Sequence, residues 1–284
     1  MSLRGLLAGD GVLMVPGAYD GLSALMVERA GFPAVFLSGA SLAYARLGRP
    51  DLGLVTASEL TDACARMADR VSVPILVDAD QGYGSLAALQ RLVRGLERSG
   101  AAAVQIEDQV LLKPLEALNS RPLVSIGEML GRIRAAQDAR VSADFLISAR
   151  TDAQASVPFG ESLERAVAYV EAGADLCLVE GLSRPEDAAA LAEALGGRVP
   201  LIHNLLEGGP SPFRHVDELK PYGFKLALFA GAMAQTAAFA LEGMLGSLKD
   251  GGSTADWQDR MKRAPEMAAL VGAPEMVAAV TRYA

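Results

Sequence analysis

Residues 74–80 read Pro-Ile-Leu-Val-Asp-Ala-Asp, an unbroken apolar run that ends in two carboxylates. Continuous hydrophobicity, rather than strict alternation, marks a strand covered on both faces, as in a parallel sheet. The same pattern recurs on either side: GVLMVPG from Gly11 and AVFLSG from Ala34 precede it. AVQIED from Ala103, DFLISAR from Asp144, DLCLVE from Asp175, VPLIHN from Val199 and FKLALFAG from Phe224 follow. Helix-period segments lie between the runs. Thr56 with Glu59, and Ser125 with Glu128, have the spacing of capping boxes. The turns in RSGAAAVQ and EAGADLCL hand a helix end to the next strand. Eight such units predict an α/β fold, a (β/α)8 TIM barrel, whose usual size is about 250 residues. The 284 residues are read as one barrel domain, 1–284, of which 246–284 form a C-terminal helical extension with Trp257 and the runs 265–271 and 274–283. A doubly wound open sheet would need a nucleotide-type loop after the first strand, and VPGAYDGL is neither a Walker loop nor a GxGxxG fingerprint.

Charge excludes other classes. With 26 basic and 34 acidic residues the net charge is -8, and no basic tract is present, so nucleic acid is not expected as a partner. Two cysteines, Cys64 and Cys177, make no disulfide scaffold and fit a cytoplasmic chain with reduced thiols. The opening MSLRGLLAGDGVLMVPGAYDG is broken by Asp10 and Gly11 and reads as a short helix, a turn and a strand, not a signal peptide. Residues 226–246, LALFAGAMAQTAAFALEGMLG, approach the length of a membrane span, but Gln235, Thr236 and Glu242 interrupt them. A buried strand running into an Ala-rich helix is expected there, and no membrane partner.

In a barrel the C-terminal ends of the strands converge over one mouth. Those ends are Ser38-Gly39, Asp78 and Asp80, Glu107-Asp108, Arg150, Glu180 and Asn204. Asp78 and Asp80 are two apart and share one strand face. Facing carboxylates repel unless a cation lies between them. With Glu107 they make an all-oxygen site that suits Mg2+ or Mn2+. Zn2+ fits less well, because His203, His215 and two scattered cysteines offer no ligand spacing. The alternative is structural: Asp80 caps the turn Gly82-Tyr83-Gly84, and Asp78 caps a neighbouring strand. Arg150 either pairs with the acids or grips a substrate carboxylate in its fork. Ser38-Gly39-Ala40 offers small residues and amides to an anion. His203 serves either as a base or as a hydrogen-bonded core residue.

Taken together, PGAYDGLSA, FLSGA, PDLG from Pro50, ILVDADQGYG, IEDQV, SARTDA, EAGADLCLVEG and HNLLEGGPSP resemble the successive signatures of the isocitrate lyase and phosphoenolpyruvate mutase superfamily. The likeness runs from about Val15 to Phe213. It implies a barrel with a swapped C-terminal helix, a homodimer or homotetramer, bound Mg2+, and a small 2-oxo or 2-hydroxy carboxylate that passes through an enolate-like species. By the resemblance Asp78 is the direct metal ligand, and Asp51, Asp80 and Glu107 hold the metal's waters. Spacing alone does not reveal Asp51. Ser38, Gly39 and Ala40 match the segment that receives a substrate carboxylate, and Arg150 matches the substrate-binding arginine. Glu180, Asn204 and Ser211 match further pocket residues, with His203 beside them. Arg150, Asp51, Glu180 and Lys113 are the groups expected to take part in catalysis.

Two departures set the expected reaction. Lyases of the superfamily carry Lys-Arg/Lys-Cys-Gly-His on the loop after strand 4, whereas IEDQVLLKPLEALNSRPLVS keeps Lys113 and has Leu115 and Ala117 in place of Cys and His. Phe36 stands where those lyases have a tyrosine. Retro-aldol cleavage needs an acid and a base, each worth about 10^2 to 10^4 in rate. Decarboxylation of a 2-oxo acid needs chiefly a Lewis acid for the enolate. A Mg2+-dependent carbon–carbon lyase of a 2-oxo dicarboxylate, oxaloacetate decarboxylase-like, is therefore expected. The alternatives are a 2-hydroxy acid lyase of the methylisocitrate lyase type, a phosphonomutase or phosphonopyruvate hydrolase, and a non-enzymatic carboxylate-binding protein. A Schiff-base aldolase is disfavoured, since Lys225 lies near the start of the last strand and Lys113 on a loop. Leu111, Leu112, Leu115 and Leu118 make the 108–124 segment either a short packed helix or a lid facing an apolar substrate tail.

Overall fold

Eight parallel strands close in chain order into a barrel in the computed structural model, which describes residues 2–110 and 122–283. They are β1 (Leu13–Ala18), β2 (Val35–Leu37), β3 (Ile75–Asp78), β4 (Ala103–Glu107), β5 (Leu146–Thr151), β6 (Leu176–Val179), β7 (Leu201–Asn204) and β8 (Leu226–Phe229). Each falls on one of the eight apolar runs, with β1 and β5 continuing one residue past the end of theirs. Pairing of β1 with β8, Leu13 beside Leu226, closes the ring. That closure needs a glycine: a Cβ on Gly17 would collide with the Ala230 carbonyl.

Helices α1 (Leu3–Leu7), α2 (Gly21–Arg29), α3 (Gly39–Leu42), α4 (Ala57–Arg70), α5 (Leu86–Arg98), α6 (Ile126–Ala139), α7 (Phe159–Glu171) and α8 (Pro185–Leu195) accompany the strands, and α9 (Ala232–Gly251), α10 (Ala264–Leu270) and α11 (Ala273–Thr281) follow them. Thr56 and Glu59 form the expected reciprocal cap on α4. The second box is half formed. Ser125 accepts the Glu128 N–H at 3.2 Å, but the Glu128 carboxylate turns to Arg132 at 2.9 Å.

Inward and outward side chains alternate along every strand. The inward set, including Val15, Phe36, Leu76, Leu178, Ile202 and Leu228, packs inside the barrel, where Leu3 and Leu7 of α1 join it and plug the end at which the strands begin. Outward residues such as Val77 and Val104 meet Leu89, Leu92, Val93 and Leu96 on one stripe of α5. Each such buried side chain contributes about 1.5–3 kcal/mol relative to exposure. This double burial explains why the strand sequences are apolar throughout.

By its contacts the chain divides into two units, residues 1–234 and 235–284, with α9 crossing the division. Within the second unit, Arg260 lies over the Trp257 ring at 4.9 Å. α9 and α11 bury no residue. Phe239, Met276, Val277 and Val280 are 79%, 68%, 66% and 67% exposed. Residues 226–246 are a strand followed by a helix, as expected. No described helix is long and apolar enough to cross a membrane.

Candidate active site

A cavity of about 260 Å3 opens where the strands end. Its acidic lining is Asp51, Asp78, Asp80, Glu107 and Glu180, set against one guanidinium, Arg150, among the described lining residues. Ser38, Ala40 and Asn204 line it as well. Gly39 lies against the acids rather than on the wall: a Cβ there would stand 3.3 Å from Asp78 Oδ2. His203 and Ser211 are not among the lining residues. Lys113, Leu115 and Ala117 lie outside the described residues.

Asp80 and Tyr83 adopt left-handed backbone, φ 44° and 59°, which asparagine and aspartate tolerate better than most residues and a tyrosine does not. The turn is held by the Tyr83 hydroxyl donating to Asp80 Oδ2 at 3.1 Å and by the Glu107 N–H donating to the Asp80 carbonyl at 2.8 Å. Burial, then the charges of Asp80 and Asp78, push the Tyr83 phenol far up, so it stays a donor. Asp80 thus engages the turn and lines the cavity together.

Arg150 projects inward from β5 beside Glu107 on β4, its register neighbour. Its Nε and Nη2 donate to Asp152 Oδ2 and Oδ1 at 3.0 and 2.8 Å, a side-on fork. Glu107 lies 3.6 Å and Glu180 3.8 Å from the same guanidinium. Burial works against its charge, but Asp152, Glu180, Glu107 and Asp78 outweigh burial and hold it protonated well above the usual arginine range. Three of its five N–H donors lie outside the fork.

Asp152 is itself fixed from behind. Its backbone N–H donates to Asp108 Oδ1 at 3.0 Å, while Asp108 Oδ2 accepts from the hydroxyls of Thr151 at 2.7 Å and Tyr169 at 2.8 Å, with Arg165 at 3.4 Å. Arg165 also holds the Val124 carbonyl at 3.0 Å, and Arg132 holds those of Glu107 and Gln109 at 3.0 and 2.9 Å. The two buried arginines therefore brace both sides of a stem closed by the Gln109–Leu123 bridge.

Alternation also separates Asn204 from its neighbour. Asn204 donates Nδ2 to Glu180 Oε2 at 3.2 Å at the mouth. His203 points the other way, edge-on to Phe213 and Phe224 at ring distances of 5.3 and 5.6 Å, with Nε2 2.8 Å from Ser211 Oγ. The Ser211 hydroxyl also lies 3.2 Å from the Phe213 carbonyl, and which partner it donates to follows the imidazole's tautomer. Burial pushes this imidazole down from 6.5 to about 4. The unfolded chain therefore binds the extra proton between those values. The stability this represents, about 3 kcal/mol, is complete above pH 6.5 and is lost as pH falls towards 4. His203→Gln should flatten the decline in urea-unfolding free energy between pH 7 and 4.5; parallel declines in the two proteins would remove His203 as its source.

Sequence reasoning missed Asp152, and also Gln105, which lines the cavity from β4. Both were open to detection, since Asp152 shares a face with Arg150 and Gln105 with Glu107. No three His, Cys, Asp or Glu among the described residues form a group that could hold a metal by themselves.

A closed parallel barrel with charged residues gathered at its C-terminal mouth defines a (β/α)8 enzyme. The phosphoenolpyruvate phosphomutase family matches residues 3–249. The chain is 36% identical to 2,3-dimethylmalate lyase of Eubacterium barkeri over 95% of its own length and 93% of that protein. It is 39% identical to 2-methylisocitrate lyase of Aeropyrum pernix, covering 95% and 86%. A solved oxaloacetate acetylhydrolase in complex with 3,3-difluorooxalacetate superposes with a TM-score of 0.91 at 36% identity, over 97% of this chain and 94% of that one. The chain belongs to the isocitrate lyase/phosphoenolpyruvate mutase superfamily, and its activity is of the lyase type found there.

Proposed function

We propose that the protein is a Mg2+-dependent carbon–carbon lyase of a small 2-oxo dicarboxylate, oxaloacetate decarboxylase-like, working through an enolate. The observation that carries this reading is the lining itself. Phe36, which holds no proton to exchange, stands on the inward wall of β2, and no Cys or His is among the described lining residues. The structural relative bound to an oxaloacetate-type inhibitor supports the same substrate class.

The residues fit a hard divalent ion. Asp51, Asp78, Asp80 and Glu107 offer oxygens alone, and Mg2+ is commonly held by one or two carboxylates with waters completing its shell, so a three-carboxylate cage is not required. Asp78 would hold the ion, and Asp51, Asp80 and Glu107 its waters. Bound there, Mg2+ supplies a Lewis acid for charge that develops on the 2-oxo oxygen. Arg150 presents its remaining donors to a substrate carboxylate, and the Ser38–Ala40 segment receives a carboxylate. Glu180 fixes the Asn204 amide by hydrogen bond, and the apolar wall of Phe36, Leu206 and Leu228 keeps water from the enolate.

Oxalate, which resembles that enolate in shape and charge, tests the reading. Arg150→Lys keeps the charge and loses the planar fork. Calorimetry with Mg2+ should show oxalate bound by the wild type and at least tenfold more weakly by the variant, about 1.4 kcal/mol. Unchanged affinity would make Arg150 purely structural.

The exposed apolar residues of α9 and α11 support a homo-oligomer, a dimer or tetramer, with a second copy covering them. Light scattering should give a mass at least twice 29.6 kDa. Phe239→Asp should lower that mass, and a monomeric wild type would exclude the assembly. A 2-hydroxy acid lyase is the second reading, favoured by Tyr44, a half-exposed phenol that lines the cavity and could transfer the proton that Phe36 cannot.

A further inference from the structure

We propose that Gln105 is a specificity-determining residue that touches the substrate, its side-chain amide donating Nε2–H to an oxygen of the bound carboxylate or 2-oxo group. Gln105 stands on the inward face of β4, two residues before Glu107 and in register with Asp78 on one side and Ser148 on the other. It lines the cavity yet is 1% exposed. Neither Nε2 nor Oε1 has a hydrogen-bond partner within the described residues, and the Ser148 hydroxyl beside it has none either.

A buried amide left unpaired on both atoms is costly, and proteins retain one where something else completes it. The surrounding chemistry says which kind of group. The five carboxylates of the wall accept hydrogen bonds and repel anions. Asn204 directs its amide hydrogens to Glu180, and Arg150 commits one edge to Asp152. Gln105 adds a neutral donor on the floor of the cavity, where a ligand oxygen can lie between it and Arg150. A ligand lacking that oxygen would leave the amide buried and unpaired, which is how a polar site rejects the wrong analogue.

The proposal rests on the 2-oxo carboxylate reading above, and the test separates the two. Gln105→Leu removes both polar atoms at similar size, with Gln105→Met as a second variant should leucine pack badly. With saturating Mg2+, the variant should bind oxalate at least tenfold more weakly than wild type. Without ligand, its melting temperature should stay within about 2 °C of wild type or rise, since no partnered group has been lost. Wild type that fails to bind oxalate overturns the underlying reading. Tight wild-type binding with unchanged affinity in the variant overturns the Gln105 assignment alone. A fall in melting temperature well beyond that margin in both variants also overturns it, because the amide would then be paired within the protein itself.

Discussion

Asp78→Ala is expected to lower Mg2+-dependent turnover by at least about 10^3 while the protein still folds. Loss of the Lewis acid removes several kcal/mol of transition-state stabilisation, and each 1.4 kcal/mol is tenfold in rate. Folding survives for a separate reason. Asp78 ends β3 at the mouth, so its removal leaves the apolar layer of Phe36, Leu76 and Leu178 intact. Melting should shift by only a few degrees, and Asp78→Asn, which keeps the volume, serves where alanine packs poorly. Full activity of a folded variant, or undiminished wild-type activity in chelator, would dismiss Asp78 as the metal's ligand.

The barrel was legible because burial on both faces leaves a coarse mark: eight apolar runs, each ending in polar residues, spaced by helix-period segments. The mouth was legible for the same reason, since a charge at the end of an apolar strand has few other uses. Finer placement followed the alternation within each strand, which a list of strand-end residues ignores. Glu107 faces the cavity while the adjacent Asp108 turns outward to Arg165 and Tyr169. Asn204 and His203 divide in the same way. Asp51 lies on a loop, where no period marks a direction, and the resemblance supplied it. Glu128 shows a different limit. Its spacing from Ser125 is right for a capping box, yet Arg132 one turn on offers a charged partner and takes the carboxylate.

A comparison of substrates carries the second large effect. Phe36 cannot act as a base, and neither Leu115 nor Ala117 can donate a proton. Cleavage of 2-methylisocitrate or isocitrate should therefore be at least about 10^2 slower than decarboxylation of oxaloacetate, the loss expected from one missing acid or base. Oxaloacetate needs neither group to lose carbon dioxide once its 2-oxo oxygen is stabilised. Should the hydroxy acids prove the better substrates, Tyr44 and Lys113 are the ionisable groups to replace first, and a phenylalanine or alanine variant should abolish that cleavage.

The decisive measurement is kcat/KM for oxaloacetate and for 2-methylisocitrate at one Mg2+ concentration, with the metal-catalysed decarboxylation in solution subtracted. A ratio of at least about 10^2 in favour of oxaloacetate is the predicted result. A ratio near one, or a preference for the hydroxy tricarboxylate, would contradict the decarboxylase reading.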